Sequence, residues 1–177
     1  MHDWPDLREI LDGIDWVIIG GVATRAYMPE RLTKDLDILV RKSDGDEVIA
    51  RLKKAGFKVV SRLAVEGFLL RSHEGIDVDV LFVDYPWLEE ALANPEKDPA
   101  GFPVIALPYL VMMKMEANRG RDLSDLYILL GWAEDQQLKQ VREVIGRYMP
   151  EEEDDLESLI FIGQHEQKSP PGWDTET

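Results

Sequence analysis

Cysteine is absent from all 177 residues, which excludes disulfides, thiolate metal sites and cysteine nucleophiles. Long apolar runs are absent too. None approaches the roughly 18 residues needed to span a bilayer. The first residues, Met1-His2-Asp3-Trp4-Pro5-Asp6, are acidic and lack the basic-then-apolar order of a signal sequence. These absences predict a cytoplasmic protein with no membrane role. Positive charge is scarce: Lys and Arg total 20 against 35 Asp and Glu, a net charge of −15. A general nucleic-acid binder needs a basic face to release counterions, and this balance argues against that role. Two basic groups remain, one of Lys34, Arg41, Lys42, Arg51, Lys53 and Lys54, the other of Lys114, Arg119 and Arg121. Part of the acid excess is local, in Glu151-Glu152-Glu153-Asp154-Asp155.

What is present is a hydrophobic share of 45%, enough for one domain with a sizeable core and a small helical extension. Asp6 to Leu11 reads as a short helix. Val17-Ile18-Ile19 is a continuous β-branched run, as expected of a strand covered on both faces, and Gly20-Gly21 ends it. Val22 to Tyr27 reads as a helical turn or two, stopped by Pro29. In Lys34 to Val40, Leu36, Ile38 and Val40 point one way and Asp35, Asp37 and Leu39 the other. Ser43 is the expected N-cap of a helix from Asp44 to Ala55. Phe57 to Val60, Gly67 to Arg71 and Ile76 to Phe82 read as strands, with His73-Glu74-Gly75 as a hairpin loop. A helix over Pro86 to Ala93, a loop over Asn94 to Phe102 and a short strand at Val104-Ile105 complete this half.

From Pro108 the apolar period becomes helical. One helix ends near Gly120; others cover Asp122 to Trp132 and Gln136 to Tyr148, and Leu156 to Ile162 forms a fourth piece. The organisation predicted is an α/β core over 1–107, a helical part over 108–163 and a disordered tail over 164–177.

Asp35 and Asp37 are two apart on a strand, so both carboxylates face one side. Such a close pair repels unless a cation is present. Mg²⁺ prefers carboxylate oxygen and takes substrate phosphates as further ligands. A third carboxylate on a neighbouring strand would let metal ions clamp the attacking and leaving oxygens of an in-line displacement. Asp77 and Asp79 also share a face, and either supplies it; Asp79 sits deeper in Val78-Asp79-Val80-Leu81-Phe82. The competing reading is a set of ordinary solvent-face aspartates on a half-exposed sheet. Gly20-Gly21, between strand and helix, permits close approach of backbone N–H groups to a phosphate, or forms a plain tight turn. Arg31 and Lys34 read equally as phosphate contacts or as solvated strand-edge charges. Lys114, among Leu110, Val111, Met113 and Met115, reads from its surroundings as a snorkelling side chain. Asp125 reads as a helix-start cap or a surface pair.

Gly20-Gly21-x-Ala23 followed by Arg31-x-Thr33-x-Asp35-x-Asp37-Ile38-Leu39-Val40 resembles the signature of the nucleotidyltransferase (polymerase-β-like) superfamily. Leu110-x-x-x-Lys114-x-x-Ala117-x-Arg119-x-Arg121-Asp122-Leu123-x-Asp125-Leu126 is similar to a helical motif of the bacterial abortive-infection toxin-type group and its relatives. The match covers about Ile14 to Leu130. Met28-Pro29 departs from it, because relatives often carry a glycine near that position.

The resemblance implies an α+β fold, a mixed sheet of about five strands flanked by helices, with a C-terminal helical bundle. It implies a nucleoside triphosphate bound by Gly20, Gly21, Arg31, Thr33, Lys114 and Asp122, with Lys114 reaching the phosphates and Asp122 orienting that region. It further implies Mg²⁺, or Mn²⁺, on Asp35, Asp37 and Asp79, with Asp77 as the substitute for Asp79. These three aspartates would be catalytic, and Asp79 would activate the acceptor hydroxyl. The expected reaction moves a nucleotidyl group to an acceptor hydroxyl on an RNA end such as tRNA, a protein or a small molecule, releasing pyrophosphate. The alternative is a toxin–antitoxin or regulatory module that binds an antitoxin-type protein partner and keeps a weak or idle nucleotide site.

Overall fold

The computed structural model describes residues 4–29, 33 and 35–168. The chain divides into two compact units, Met1–Ala106 and Leu107–Thr177.

In the first unit, strand β1 (Trp16–Ile19) is buried along its whole length, as its β-branched run requires. It leads directly into the four-residue helix α1 (Gly20–Ala23) and a 3₁₀ turn, Thr24–Ala26. Strand β2 (Asp35–Arg41) follows, with Leu36, Ile38, Leu39 and Val40 in the core. Helix α2 (Gly45–Lys54) buries Val48 and Leu52. Its first turn holds Asp46 and Glu47 and its last turn Arg51, Lys53 and Lys54, the order the helix dipole favours. Strands β3 (Lys58–Arg62), β4 (Gly67–Arg71) and β5 (Asp77–Val83) form a meander; then come α3 (Leu88–Ala93) and the two-residue strands β6 (Glu96–Lys97) and β7 (Pro103–Val104).

Among the described residues the sheet has seven strands in the order β3-β4-β5-β2-β1-β7-β6. It is mixed: β2 runs parallel to β5 and β1 parallel to β7, while the other neighbouring pairs are antiparallel. The count exceeds the expected five through two-residue strands: β7 meets the short strand expected at Val104-Ile105 one residue early, and β6 lies inside the expected Asn94 to Phe102 loop, too short for alternation to report. Other local corrections concern ends. Asp6 and Leu7 have no regular structure, and the chain continues through Leu11 as turns rather than a helix. Asp44, not Ser43, is the N-cap of α2, because Lys42–Asp44 forms a 3₁₀ turn ahead of it.

The second unit is helical. Helix α4 (Leu107–Ala117) is buried nearly all round, and the two-residue link to α5 (Gly120–Trp132) places Asn118 at φ 45°. Asparagine tolerates that left-handed conformation better than most residues. Helix α6 (Asp135–Tyr148) opens on a capping box between Glu134 and Gln137. Helix α7 (Glu153–Lys168) packs on α5 through Gly163, where a β-carbon would strike the Tyr127 carbonyl. Because α7 continues to Lys168, the expected tail over 164–177 begins too early; Ser169 to Thr177 lie outside the described residues. No described helix is long and apolar enough to cross a membrane.

Candidate active site

The carboxylates collect because of strand register. In β2 and β5, Asp35 stands opposite Asp77 and Asp37 opposite Asp79. Residues in register on neighbouring strands project from the same face, so all four aspartates share one side of the sheet. The intervening Leu36, Ile38, Val78 and Val80 are fully buried on the other side. The antiparallel partner of Asp37 on β1 is Ile19, the residue before Gly20. Gly20 has φ +64°, and a β-carbon there would collide with Asp37 Oδ2. The glycine at the strand end therefore leaves the space that the Asp37 carboxylate occupies.

The Gly20-Gly21 segment is anchored at its far end. The Thr24 hydroxyl donates to the Gly21 carbonyl at 2.8 Å. Arg25 forms a buried ion pair with Asp98, its Nε donating to Oδ2 at 2.6 Å. Asp98 also accepts the backbone N–H groups of Ala100 and Phe102, at 2.9 and 2.8 Å. The Tyr27 hydroxyl donates to the Ile105 carbonyl at 2.7 Å. Thr33 donates a long hydrogen bond, 3.4 Å, to the Asp35 carbonyl. Arg31 and Lys34, expected near the phosphates, lie outside the described residues.

Asp77 and Asp79 occupy different surroundings. Arg71 grips Asp77 with two hydrogen bonds, Nε to Oδ1 at 2.6 Å and Nη2 to Oδ2 at 2.9 Å. Those bonds hold the Asp77 carboxyl below the usual carboxylate range. Asp79 is shifted the other way: burial raises its pKa, and the charges of Asp35 and Asp77 raise it further.

The donor set suits a hard divalent cation. It is all oxygen, and the mutual repulsion felt at Asp79 is what a cation relieves. Among the described residues, no three acidic or imidazole side chains are already drawn together as a cation cage. Mg²⁺ does not demand one, since it keeps waters and is held by one or two carboxylates plus substrate phosphates.

In the helical unit, Lys114, Asp122 and Asp125 are all buried, with 5%, 4% and 2% exposure. Lys114 Nζ donates to Asp125 Oδ2 at 2.6 Å and to Asp122 Oδ1 at 3.3 Å, and Arg119 Nε donates to Asp122 Oδ2 at 2.6 Å. Burial alone would raise the Asp122 carboxyl, but the Arg119 hydrogen bond and the charges of Lys114 and Arg119 outweigh it and hold it low. Lys114 thus does not snorkel to water, and Asp125 is neither cap nor surface pair. The ammonium expected to reach phosphates is committed to two carboxylates of its own unit.

Three cations of the basic group that runs to Lys54 are paired. Arg41 pairs with Glu89, Asp15 and Asp44, Lys42 with Glu66 and Arg51 with Glu47. Sequence reasoning did not find the partners of Arg25, Arg71 or Lys114. The hairpin offered a signal for one: five residues between β4 and β5 place Arg71 opposite Asp77.

No protein-family model and no curated protein sequence matches the chain. Among solved structures it is similar to the crystal structure of ANT(2'')-Ia in complex with adenylyl-2''-tobramycin, with a TM-score of 0.51 and 16% identity over 90% of this chain and 93% of that one. It is also similar to the solution structure of the antibiotic-resistance factor ANT(2'')-Ia, with a TM-score of 0.50 and 14% identity over 90% of this chain and 88% of that one. At such identities the likeness is one of fold. The α+β class expected from the sequence, the nucleotidyltransferase fold, is the class found.

Proposed function

We propose that the chain is a nucleotidyltransferase that moves a nucleotidyl group from a nucleoside triphosphate to an acceptor hydroxyl. The observation that carries this reading is the seating of the Asp37 carboxylate against Gly20, one strand away from Asp79. It gathers a glycine turn and aspartates of two strands in one place, and a merely solvated aspartate needs no such space. The shared fold with ANT(2'')-Ia, whose structure holds an adenylylated tobramycin, supports it.

The acceptor oxygen attacks the α-phosphorus as the bond from that phosphorus to the bridging oxygen breaks, and pyrophosphate leaves. Asp79 takes the acceptor proton. Asp35, Asp37 and Asp79 would hold Mg²⁺ or Mn²⁺, which supplies charge neutralisation at the phosphates. Gly20 and Gly21 line the triphosphate, and Thr33 fixes the entry to β2. We place Lys114 and Asp122 in an ion cluster that orders α4 and α5, in the stretch whose sequence resembles the helical motif of the abortive-infection toxin-type group.

A hydroxylated small molecule bearing positive charge suits the −15 balance better than RNA, whose binding needs a basic face.

The test is incubation with each α-labelled NTP, Mg²⁺ or Mn²⁺, and a panel of aminoglycosides, tRNA and protein extract, with Asp37→Asn alongside. Label transferred by the wild type and lost in the variant is expected. No label with any NTP, together with no metal-dependent NTP binding, overturns the reading.

A further inference from the structure

We propose that Arg71 is a positioning residue: it holds Asp77 away from the cation site, so that Asp79 and not Asp77 supplies the third carboxylate. The inference rests on the reading above and deepens it.

The register of three strands carries it. Four aspartates project from one face in two rungs across β2, β5 and β4. The first rung is Asp35, Asp77 and Arg71; the second is Asp37, Asp79 and Leu69. Only the first contains a cation. Arg71 meets Asp77 fork to fork at 2.6 and 2.9 Å, engaging both carboxylate oxygens. To ligate a divalent ion, Asp77 must give up one or both of these charge-assisted bonds. Asp79 faces an apolar residue across the sheet and has no such competitor there.

The chemistry explains why a fork would be placed at that rung. Two Asp-x-Asp pairs side by side put four like charges on one face. Arg71 cancels one of them and leaves three, the number the two-strand site requires. A lysine would bring a mobile point charge; the planar guanidinium fixes the Asp77 carboxylate in orientation as well as charge. Both partners are accessible, 50% and 27% exposed, and such pairs contribute little to folding stability. Removing Arg71 therefore reports on the site and not on the fold.

The experiment titrates Mn²⁺ alone, without nucleotide, into the full chain and reads free Mn²⁺ by electron paramagnetic resonance. Wild type, Asp37→Asn, Arg71→Gln, Asp77→Asn and the Arg71→Gln/Asp77→Asn double variant are compared, each checked for an unchanged thermal transition. Arg71→Gln is expected to bind Mn²⁺ severalfold more tightly, because a fourth carboxylate is released to the ion. The double variant is expected to return to the wild-type affinity, and Asp77→Asn alone to match wild type. Unchanged or weaker binding in Arg71→Gln overturns the assignment, as does a loss of binding in Asp77→Asn. Mn²⁺ binding that survives undiminished in Asp37→Asn overturns the metal site itself and the assignment with it. Loss in Asp37→Asn with no change in Arg71→Gln overturns the assignment alone.

Discussion

The carboxylate of Asp37 occupies the space where Gly20 would carry a β-carbon. Strand end and aspartate are thus fitted to one another, and the glycine has two reasons to be there. Its φ of +64° costs any L-residue about 1–2 kcal/mol, and any side chain displaces Asp37. Gly20→Ala is expected to fold, by circular dichroism, yet to lose about 100-fold in kcat/KM for the NTP, the scale of loss that a displacement of about 1 Å produces. A Gly20→Ala enzyme with wild-type kinetics would show that the contact does not matter to the chemistry.

The two aspartates of β5 are expected to part company. Asp79→Asn should lose about 100- to 1000-fold in kcat, as removal of a charge-stabilising group at a transition state does. Asp77→Asn should stay near wild type, because Asp77 spends both oxygens on Arg71. Steady-state kinetics on matched preparations decides the matter; the reverse pattern would assign the proton acceptor to Asp77.

These two residues also show where the sequence was legible. Alternation in Lys34 to Val40 and in Ile76 to Phe82 placed the aspartates on strand faces, since period two is a local property of the chain. The parallel register that sets Asp37 beside Asp79 is not local: it joins strands separated by the β3–β4 hairpin. The pairing of Arg25 with Asp98 spans 73 positions, and no short-range pattern announces it. Local spacing presents Asp125 as a cap or a surface pair, yet the helix buries it on Lys114, eleven positions earlier. Strand β6, inside the expected Asn94 to Phe102 loop, escaped for a related reason, since two residues carry no period.

The buried cluster in the helical unit makes a stability prediction. Lys114→Met leaves Asp122 and Asp125 in the interior without their ammonium, and breaking a buried pair costs about 3–5 kcal/mol. Urea unfolding should register that loss. The cluster also gives a pH signature. The folded Asp122 carboxyl lies below its unfolded value of about 3.9. Its stabilisation is present above about pH 4 and is lost as the pH falls through the lower, folded value. Asp122→Asn should flatten the stability profile below about pH 4, at the expense of stability near neutrality. A wild-type slope in that window for the variant would remove Asp122 as its source.

The last prediction concerns the anchor behind the glycine turn. Arg25 closes the segment that begins at Gly20, and its partner Asp98 is fully buried and accepts two backbone N–H groups besides the guanidinium. Asp98→Ala therefore removes a carboxylate that accepts four hydrogen bonds and strands Arg25, at a cost of about 3–5 kcal/mol. Asp98→Asn keeps an oxygen for the loop amides but loses the charge, so the two variants separate the loop from the ion pair. In hydrogen exchange, Ala100 and Phe102 should lose protection in Asp98→Ala and retain most of it in Asp98→Asn. In kinetics, both variants should raise KM for the NTP more than they lower kcat, because a loosened Arg25 frees the Gly20-Gly21 turn proposed to line the triphosphate while the aspartates on β2 and β5 stay on their strands. A fall in kcat with KM unchanged would mean that the anchor serves the carboxylates and not the turn.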